Sequence, residues 1–306
     1  MEKITLSYVL TTRNKLPFLT YGLNRLIKNL KSDEEIIIVD AGSSDGTVEF
    51  LTSLYKKKII HQFVTEPDFG EGHGFNKGFL IAKGDLIKII TDDDFFNYPA
   101  IQECKSLMLK NKDIDVMIGN IYDTPIDNFD KIYFESMVEN NFKNYVKNGQ
   151  IFPFTGLSLM IRKSSMALTG FFYSNIVCVD TEFALRITEI GVNIAWTDAA
   201  IAVRIGNSQS KLGNMSEKEN RIELDRFQYL YDSKYRKRIN NLSFTILRKF
   251  KGLLKNTKNL FKISSNQNAD PKNIYCTIEH IESINKKCEK YILNLNKEKS
   301  NFIFSK

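Results

Sequence analysis

Apolar positions along the chain come in short runs divided by polar turns, and the runs change period as they go. Residues 4–12 (ITLSYVLTT) read as a buried strand, and a helical spacing follows near 17–30. Residues 35–40 (EIIIVD) are too short for a helix and rich in Ile, and they end in Asp40 before the turn-forming AGSSDGT. Strands are expected at 58–64 and 85–90, with a helix at 74–83 between them. Further along, 113–120, 155–162, 193–197 and 200–205 read as strands and 181–190 as a helix. Ser216 and Glu219 have capping-box spacing and predict a helix to about residue 232. Strands alternating with helices predict βαβ units: an α/β fold with a mostly parallel sheet flanked by helices. In such sheets ligands sit beyond the carboxyl ends of the strands. Asp40 and Asp92–Asp94 both fall there.

The chain has 306 residues, enough for one domain of about 200–250 residues and an appendage. A body at 1–235 and a basic, mainly helical extension at 236–306 are expected, with a break around 264–272 and a last helix near 274–297. Apolar residues make up 42%, which fits a sizeable core. The four cysteines include no CxxC pair, so a zinc or disulfide framework is not expected and a reducing compartment fits. No signal peptide and no apolar run long enough to cross a bilayer is read, so the expected location is the cytoplasm.

Four clusters can carry chemistry. Thr91-Asp92-Asp93-Asp94 closes an apolar strand with three carboxylates, either a solvated acidic turn or a site for a hard divalent cation shared with a substrate diphosphate. Asp40 with Ser43, Ser44, Asp45, Gly46 and Thr47 is partly a helix cap, while Asp40 itself is expected to face the cleft and accept hydrogen bonds from a nucleobase or ribose. Glu66 to Gly78 is a Gly-rich run in which Lys77 can face phosphate, without the spacing of a Walker loop. Val179-Asp180-Thr181-Glu182 opens a helix. Asp180 is there an N-cap, or a general base if it reaches the cleft.

In this order the clusters resemble glycosyltransferase family 2, whose nucleotide-sugar-binding fold is called GT-A. The resemblance runs over about residues 4–207. It rests on Leu10-Thr11-Thr12-Arg13-Asn14, on Val39-Asp40-Ala41-Gly42-Ser43-Ser44-Asp45-Gly46-Thr47 and on Glu66 through Asp85 with Asn76, Lys77, Gly78, Ala82 and Gly84. It continues in the Asp92–Asp94 motif and in Val179-Asp180 followed by Leu185-Arg186. It implies a donor site built from Thr11, Thr12, Arg13, Asp40, Asp68, Asn76, Lys77, Asp92 and Arg204, with Thr12 and Asp40 on the nucleoside. Asp93, helped by Asp94, is implied as the ligand of Mg²⁺ or Mn²⁺, and Asp180 as the catalytic base. A nucleotide-sugar donor, a UDP-sugar before others, and a glycan or lipid-linked acceptor follow from the same likeness. So does inversion at the anomeric carbon, since one base and one in-line displacement are implied. Thr91 stands where the family has the first Asp of its metal motif, and Val179 where it has the first acid of its Glu-Asp pair. Two rivals remain. One is a nucleotidyltransferase, whose G-x-G-T-R loop is here Leu-Thr-Thr-Arg-Asn. The other is a catalytically silent sugar-binding or membrane-scaffold relative.

The net charge of +7 belongs to one region. Residues 233–269 hold ten basic and no acidic residues, so the rest of the chain is about −3. Ile246, Leu247, Phe250, Leu253, Leu254, Leu260 and Phe261 recur near helical spacing among these lysines and arginines. Such a basic amphipathic stretch over 236–263 either packs on the core or lies on an anionic membrane, the inner face of the plasma membrane. Nucleic acid is not an expected partner: aromatics are few there and no recognition motif accompanies the charge.

Overall fold

The computed structural model describes residues 3–134, 137–206, 215–239, 277–295 and 300–306. The basic stretch 246–262 and the break at 264–272 lie outside the described residues. The first half alternates β1 (Leu6–Thr12), α1 (Leu16–Asn29), β2 (Glu34–Asp40), α2 (Thr47–Lys56), β3 (Gln62–Thr65), α3 (Glu71–Ile81) and β4 (Leu86–Ile90). Then come β5 (Phe95–Phe96), α4 (Tyr98–Lys110), β6 (Val116–Pro125), β7 (Tyr133–Phe134), α5 (Met137–Asn148), β8 (Met160–Arg162) and the short α6 (Met166–Thr169). The chain continues with α7 (Val179–Ile190), β9 (Ile194–Gly206), α8 (Glu217–Tyr231), α9 (Ser233–Ile239), α10 (Ile278–Leu295) and β10 (Phe302–Phe304).

The described strands form one sheet in the order β10-β9-β6-β8-β4-β1-β2-β3, with β5 beside β9 and β7 beside β6. Strands β3, β2, β1 and β4 run parallel, as do β6 and β9, while β8 is antiparallel between β4 and β6. This is the mostly parallel, helix-flanked sheet expected. The apolar runs of β1, β2 and β4 are continuous because both faces are covered. Tyr8, Leu10, Ile36 and Ile38 pack with Leu19, Leu23 and Leu26 of α1 and Ile101 of α4. Their alternates Val9, Ile37, Ile87 and Ile89 pack with Phe75 and Phe79 of α3, Phe142 of α5 and Phe183 of α7.

The differences from expectation have local causes. The third strand starts only at Gln62, because residues 57–61 turn through Lys58 at φ 58°. Helix α3 begins at Glu71, three residues before the expected start, since Gly70 at φ 109° turns the chain into it. Strands expected at 193–197 and 200–205 are one strand, β9, whose register against β6 shifts around Gly119 and Asn120. The capping box forms as read: Ser216 Oγ accepts from Glu219 N–H at 3.2 Å, and Glu219 accepts from Ser216 N–H at 3.0 Å.

The last two elements join the same sheet. Ile281, Ile284, Cys288 and Ile292 are the buried apolar residues of α10. Ile284, Cys288 and Ile292 close a core cluster with Phe95, Tyr122, Val203 and Ile205. Strand β10 pairs antiparallel with β9, Phe302 opposite Thr197 and Phe304 opposite Ala195. No described helix is long and apolar enough to cross a membrane. Because Ile284 is fully buried, Ile284→Ala is expected to lower stability by about 2–5 kcal/mol. Urea denaturation followed through the fluorescence of Trp196, the only tryptophan, measures it; an unchanged midpoint would mean that α10 is not part of the cooperative fold.

Candidate active site

The parallel register brings three strand ends to one edge. Thr12 lies opposite Asp40, and Leu10 lies between Ile38 and Ile90. The carboxylate motif follows β4 directly, and each of its carboxylates has a different neighbour. Thr12 Oγ1 donates to Asp92 Oδ2 at 2.7 Å. Lys15 Nζ is ion-paired with Asp93 Oδ2. Asp94 accepts from Thr91 Oγ1 and from Ile205 N–H, both at 2.7 Å. The hydroxyl of Thr91, which stands at the first position of the motif, thus orients Asp94.

Burial, and then the charge of Asp93, push the Asp92 carboxyl up to about 8. The same two causes push Asp94 up to about 7 against the hydrogen bonds it accepts. Burial works against the charge of Lys15, but Asp93, Asp92 and Asp94 outweigh it and raise the pKa of the ammonium. Three carboxylates thus share one ammonium, a donor set of hard oxygens that suits a divalent cation. Among the described residues no three His, Cys, Asp or Glu side chains converge as a metal cage.

Asp40 is placed differently from expectation. It is fully buried, and its carboxylate accepts from Gly42 N–H and Ser43 N–H at 3.0 Å each, from Thr65 Oγ1 at 2.7 Å and from Ser43 Oγ. It folds the loop after β2. Asn14 locks the loop after β1 to it, its Oδ1 accepting from Ser44 N–H at 2.8 Å. Thr11 is half-buried and Arg13 exposed on that rim.

The Gly-rich run forms the start of α3. A Cβ on Gly72 would lie 2.7 Å from the carbonyl oxygen of Tyr173, and one on Gly74 would lie 2.9 Å from Thr11 Cγ2 and 3.2 Å from Asp68 Oδ2. These glycines let the helix lie against β1 and the 172–173 turn. Asp68 accepts from Gly70 N–H at 2.9 Å. Asn76 clamps the Phe172 peptide, donating to its carbonyl at 2.8 Å and accepting from its N–H at 3.0 Å. Lys77 pairs with Glu66 at 2.8 Å. Both side chains are thereby engaged within the protein.

Asp180 lies in the first turn of α7, two residues past the N-cap, a position that Cys178 holds. Its Oδ2 accepts from Gly156 N–H at 3.1 Å and its Oδ1 from Thr181 N–H at 2.7 Å. Asp180, Asp93, Asp94, Thr91 and Arg204 all line one cavity of about 700 Å³. Arg204 is ion-paired with Asp123 at 2.5 Å. Thr11, Thr12, Arg13, Asp40, Asp68, Asn76, Lys77 and Asp92 do not line this cavity. The same cavity is also lined by apolar side chains, Val138 of α5, Phe154 and Leu157, and by Asn141. These residues fall in 121–175, where the sequence has no readable motif.

Two contributors escaped the sequence reading. Lys15 reaches Asp93 across 78 residues of chain, and only its adjacency to a Thr-Asn turn hinted at it. Glu223 of α8 accepts from Val177 N–H at 3.1 Å and Cys178 N–H at 2.8 Å, anchoring the start of α7; nothing local in the sequence signals that pairing.

The sequence model described as Glycosyl transferase family 2 matches residues 7–168. The chain is 31% identical over 151 residues to the glycosyltransferase GlyG of Streptococcus pneumoniae, a match spanning 48% of this chain and 45% of that one. Among solved structures, S. aureus TarS 1-349 in complex with UDP-GlcNAc superposes with a TM-score of 0.57 at 15% identity, over 75% of this chain and 68% of that one. A mannosyltransferase from Pyrobaculum calidifontis, in complex with GDP-Man and Mn²⁺, gives 0.51 at 13% identity over 98% and 89%. At such identities the superpositions establish the fold.

Because Asp40 holds its loop through four hydrogen bonds, Asp40→Ala is expected to cost about 1–3 kcal/mol of stability as well as donor binding. Thermal denaturation without ligand checks it. An unchanged melting temperature would mean that these hydrogen bonds do not hold the loop.

Proposed function

The chain belongs to glycosyl transferase family 2, and from that premise we propose that it moves a sugar from a nucleoside-diphosphate sugar to an acceptor hydroxyl, inverting the anomeric carbon. The observation that carries this reading is that Asp93, Asp94 and Asp180 open on one cavity. A uridine diphosphate sugar is the proposed donor, supported by the fold's likeness to the TarS complex with UDP-GlcNAc. The rim formed by Thr11, Thr12, Arg13 and Asp68, shaped by Asp40 from behind, would receive the nucleoside. Asp92, tied to Thr12, stands between that rim and the cavity.

Asp93 would hold Mg²⁺ or Mn²⁺, with Asp94 adding its charge from a fixed position. Such a cation, when bound, offsets negative charge that builds on the leaving diphosphate. The acceptor would enter along the apolar wall of α5 and residues 153–157. Asp180 is oriented by two backbone N–H groups, those of Gly156 and Thr181. It takes the proton of the acceptor hydroxyl as the acceptor oxygen bonds to the anomeric carbon. The bond from that carbon to the phosphate oxygen breaks on the opposite face, and its electron pair leaves with the nucleoside diphosphate. Arg204 is within the same cavity to meet the diphosphate or the acceptor. Surface or lipid-linked glycan synthesis is the proposed setting.

We further propose that residues 236–263 attach the protein peripherally to anionic lipid. Replacing Lys249, Lys251 and Lys255 together by Glu should at least halve co-sedimentation with phosphatidylglycerol vesicles; undiminished binding removes the membrane proposal. For the chemistry, Asp180→Asn keeps the shape of the side chain and removes the base. It should lower transfer by about a hundredfold or more while nucleotide binding stays near the wild-type level. Activity retained above a few per cent would take Asp180 out of the base's role.

A further inference from the structure

Lys15 sits between β1 and α1, at the N-cap position of α1, and its ammonium reaches across to Asp93. The two side chains are mostly out of solvent, at 20% and 15% exposure. The Lys15 stem runs beside Phe18, with Nζ 5.7 Å from the ring centroid. Asp92 and Asp94 are occupied elsewhere, by Thr12 on one side and by Thr91 and the Ile205 N–H on the other. The ammonium is thus seated on the one carboxylate of the motif to which the proposed function gives the metal.

An ammonium and a divalent cation on that one carboxylate repel each other in a partly dehydrated site, so each weakens the other's hold. Lysine is suited to yielding: its charge is a compact point on a flexible four-carbon stem with three rotatable donors. Its seat at the edge of the nucleotide rim gives it a second anion to turn to when a diphosphate arrives.

We propose that Lys15 is the resident counter-ion of Asp93, a metal surrogate that keeps divalent cations out of the empty enzyme and moves to the donor's diphosphate when donor and metal enter together. The proposal rests on the reading of Asp93 as the metal-holding residue. It explains how a motif of three adjacent carboxylates stays folded without a metal. It also makes metal affinity conditional on nucleotide. Removing the ammonium leaves Asp93 uncompensated, so the empty protein should then take up metal by itself. With Lys15 lost, nucleotide no longer has to draw the ammonium off Asp93, so the gain in metal affinity that nucleotide brings should shrink, and by reciprocity the gain in nucleotide affinity that metal brings should shrink by the same factor.

The test is direct Mn²⁺ binding to the full chain, read from the electron paramagnetic resonance signal of free Mn²⁺. Wild type, Lys15→Met, Lys15→Gln, Lys15→Arg and Asp93→Asn are titrated alone and with UDP or GDP. Lys15→Met should bind Mn²⁺ alone about fivefold or more tighter than wild type, and nucleotide should help it less. Lys15→Arg, which keeps the charge, should stay near wild type. Lys15→Gln carries the same expectation as Lys15→Met should the latter fail to fold. Equal or weaker Mn²⁺ binding by the neutral variants, with wild type still binding Mn²⁺ in the presence of nucleotide, overturns the counter-ion role alone. Mn²⁺ binding that survives Asp93→Asn, or that wild type lacks even with nucleotide, overturns the metal reading itself and this inference with it.

Discussion

Three adjacent carboxylates at the end of a buried strand are the constraint around which the site is arranged. Strand β4 delivers them to the edge of the sheet, where burial and mutual repulsion disfavour their charge and push Asp92 and Asp94 up to about 8 and 7. The protein relieves each one separately. A hydroxyl from β1 serves Asp92, an ammonium from the following turn serves Asp93, and the end of β9 serves Asp94. Those partners come from two distant regions of the chain, Thr12 and Lys15 from the end of β1 and the turn after it and Ile205 from β9. The motif therefore ties the first strand to the ninth as well as offering charge to a ligand.

That tie explains why the C-terminal elements matter to a site they do not line. Phe95, just past the motif, packs in the cluster that α10 closes with Ile284 and Cys288. The Arg25 guanidinium of α1 stacks on the same ring, 4.0 Å from its centroid. Cys288 is close enough to Asp94 for the carboxylate to help burial push its thiol up to about 12. The segment after the motif is thus gripped from α1 and from α10, and the edge strand β10 extends the sheet on that side. A fold that must hold like charges together needs stiffness behind them, and here part of it comes from the last 30 residues.

How much of this was legible in the sequence depends on the range of the interaction that decides each element. The runs of β1, β2 and β4 are legible because short stretches dominated by Ile, Leu and Val, too brief for a helix, have few other uses. The Ser216–Glu219 capping box was read because both partners are local. The placement of Asp92–Asp94 at a strand end followed from the same runs. Other residues were located without their surroundings being legible. Asp40 belongs to a loop motif, but only the folded loop shows its carboxylate turned onto Gly42, Ser43 and Thr65. Asn76 meets the Phe172 peptide 96 positions away, and no periodicity carries that information. Strand β10 is three residues long and pairs with an edge more than 100 positions earlier. Such a strand has no pattern of its own to detect.

The two halves of the site are joined through β4 in a second way. Lys88, in the middle of that strand, is buried and has no carboxylate beside it. Burial brings its ammonium down to about 7. It donates instead to the carbonyls of Leu157 at 2.6 Å and Leu159 at 3.2 Å, and Phe96 lies 5.2 Å from its Nζ. Leu157 lies within the 3₁₀ turn Gly156–Ser158 and Leu159 directly after it, and Asp180 accepts from the N–H of Gly156 in that turn. A buried lysine is costly unless its donors are met. Here meeting them fixes the turn that orients the carboxylate across the cavity. The strand that ends in Asp92–Asp94 therefore also sets where Asp180 stands, so the distance between the two acidic centres is governed by one rigid element rather than by two independent loops.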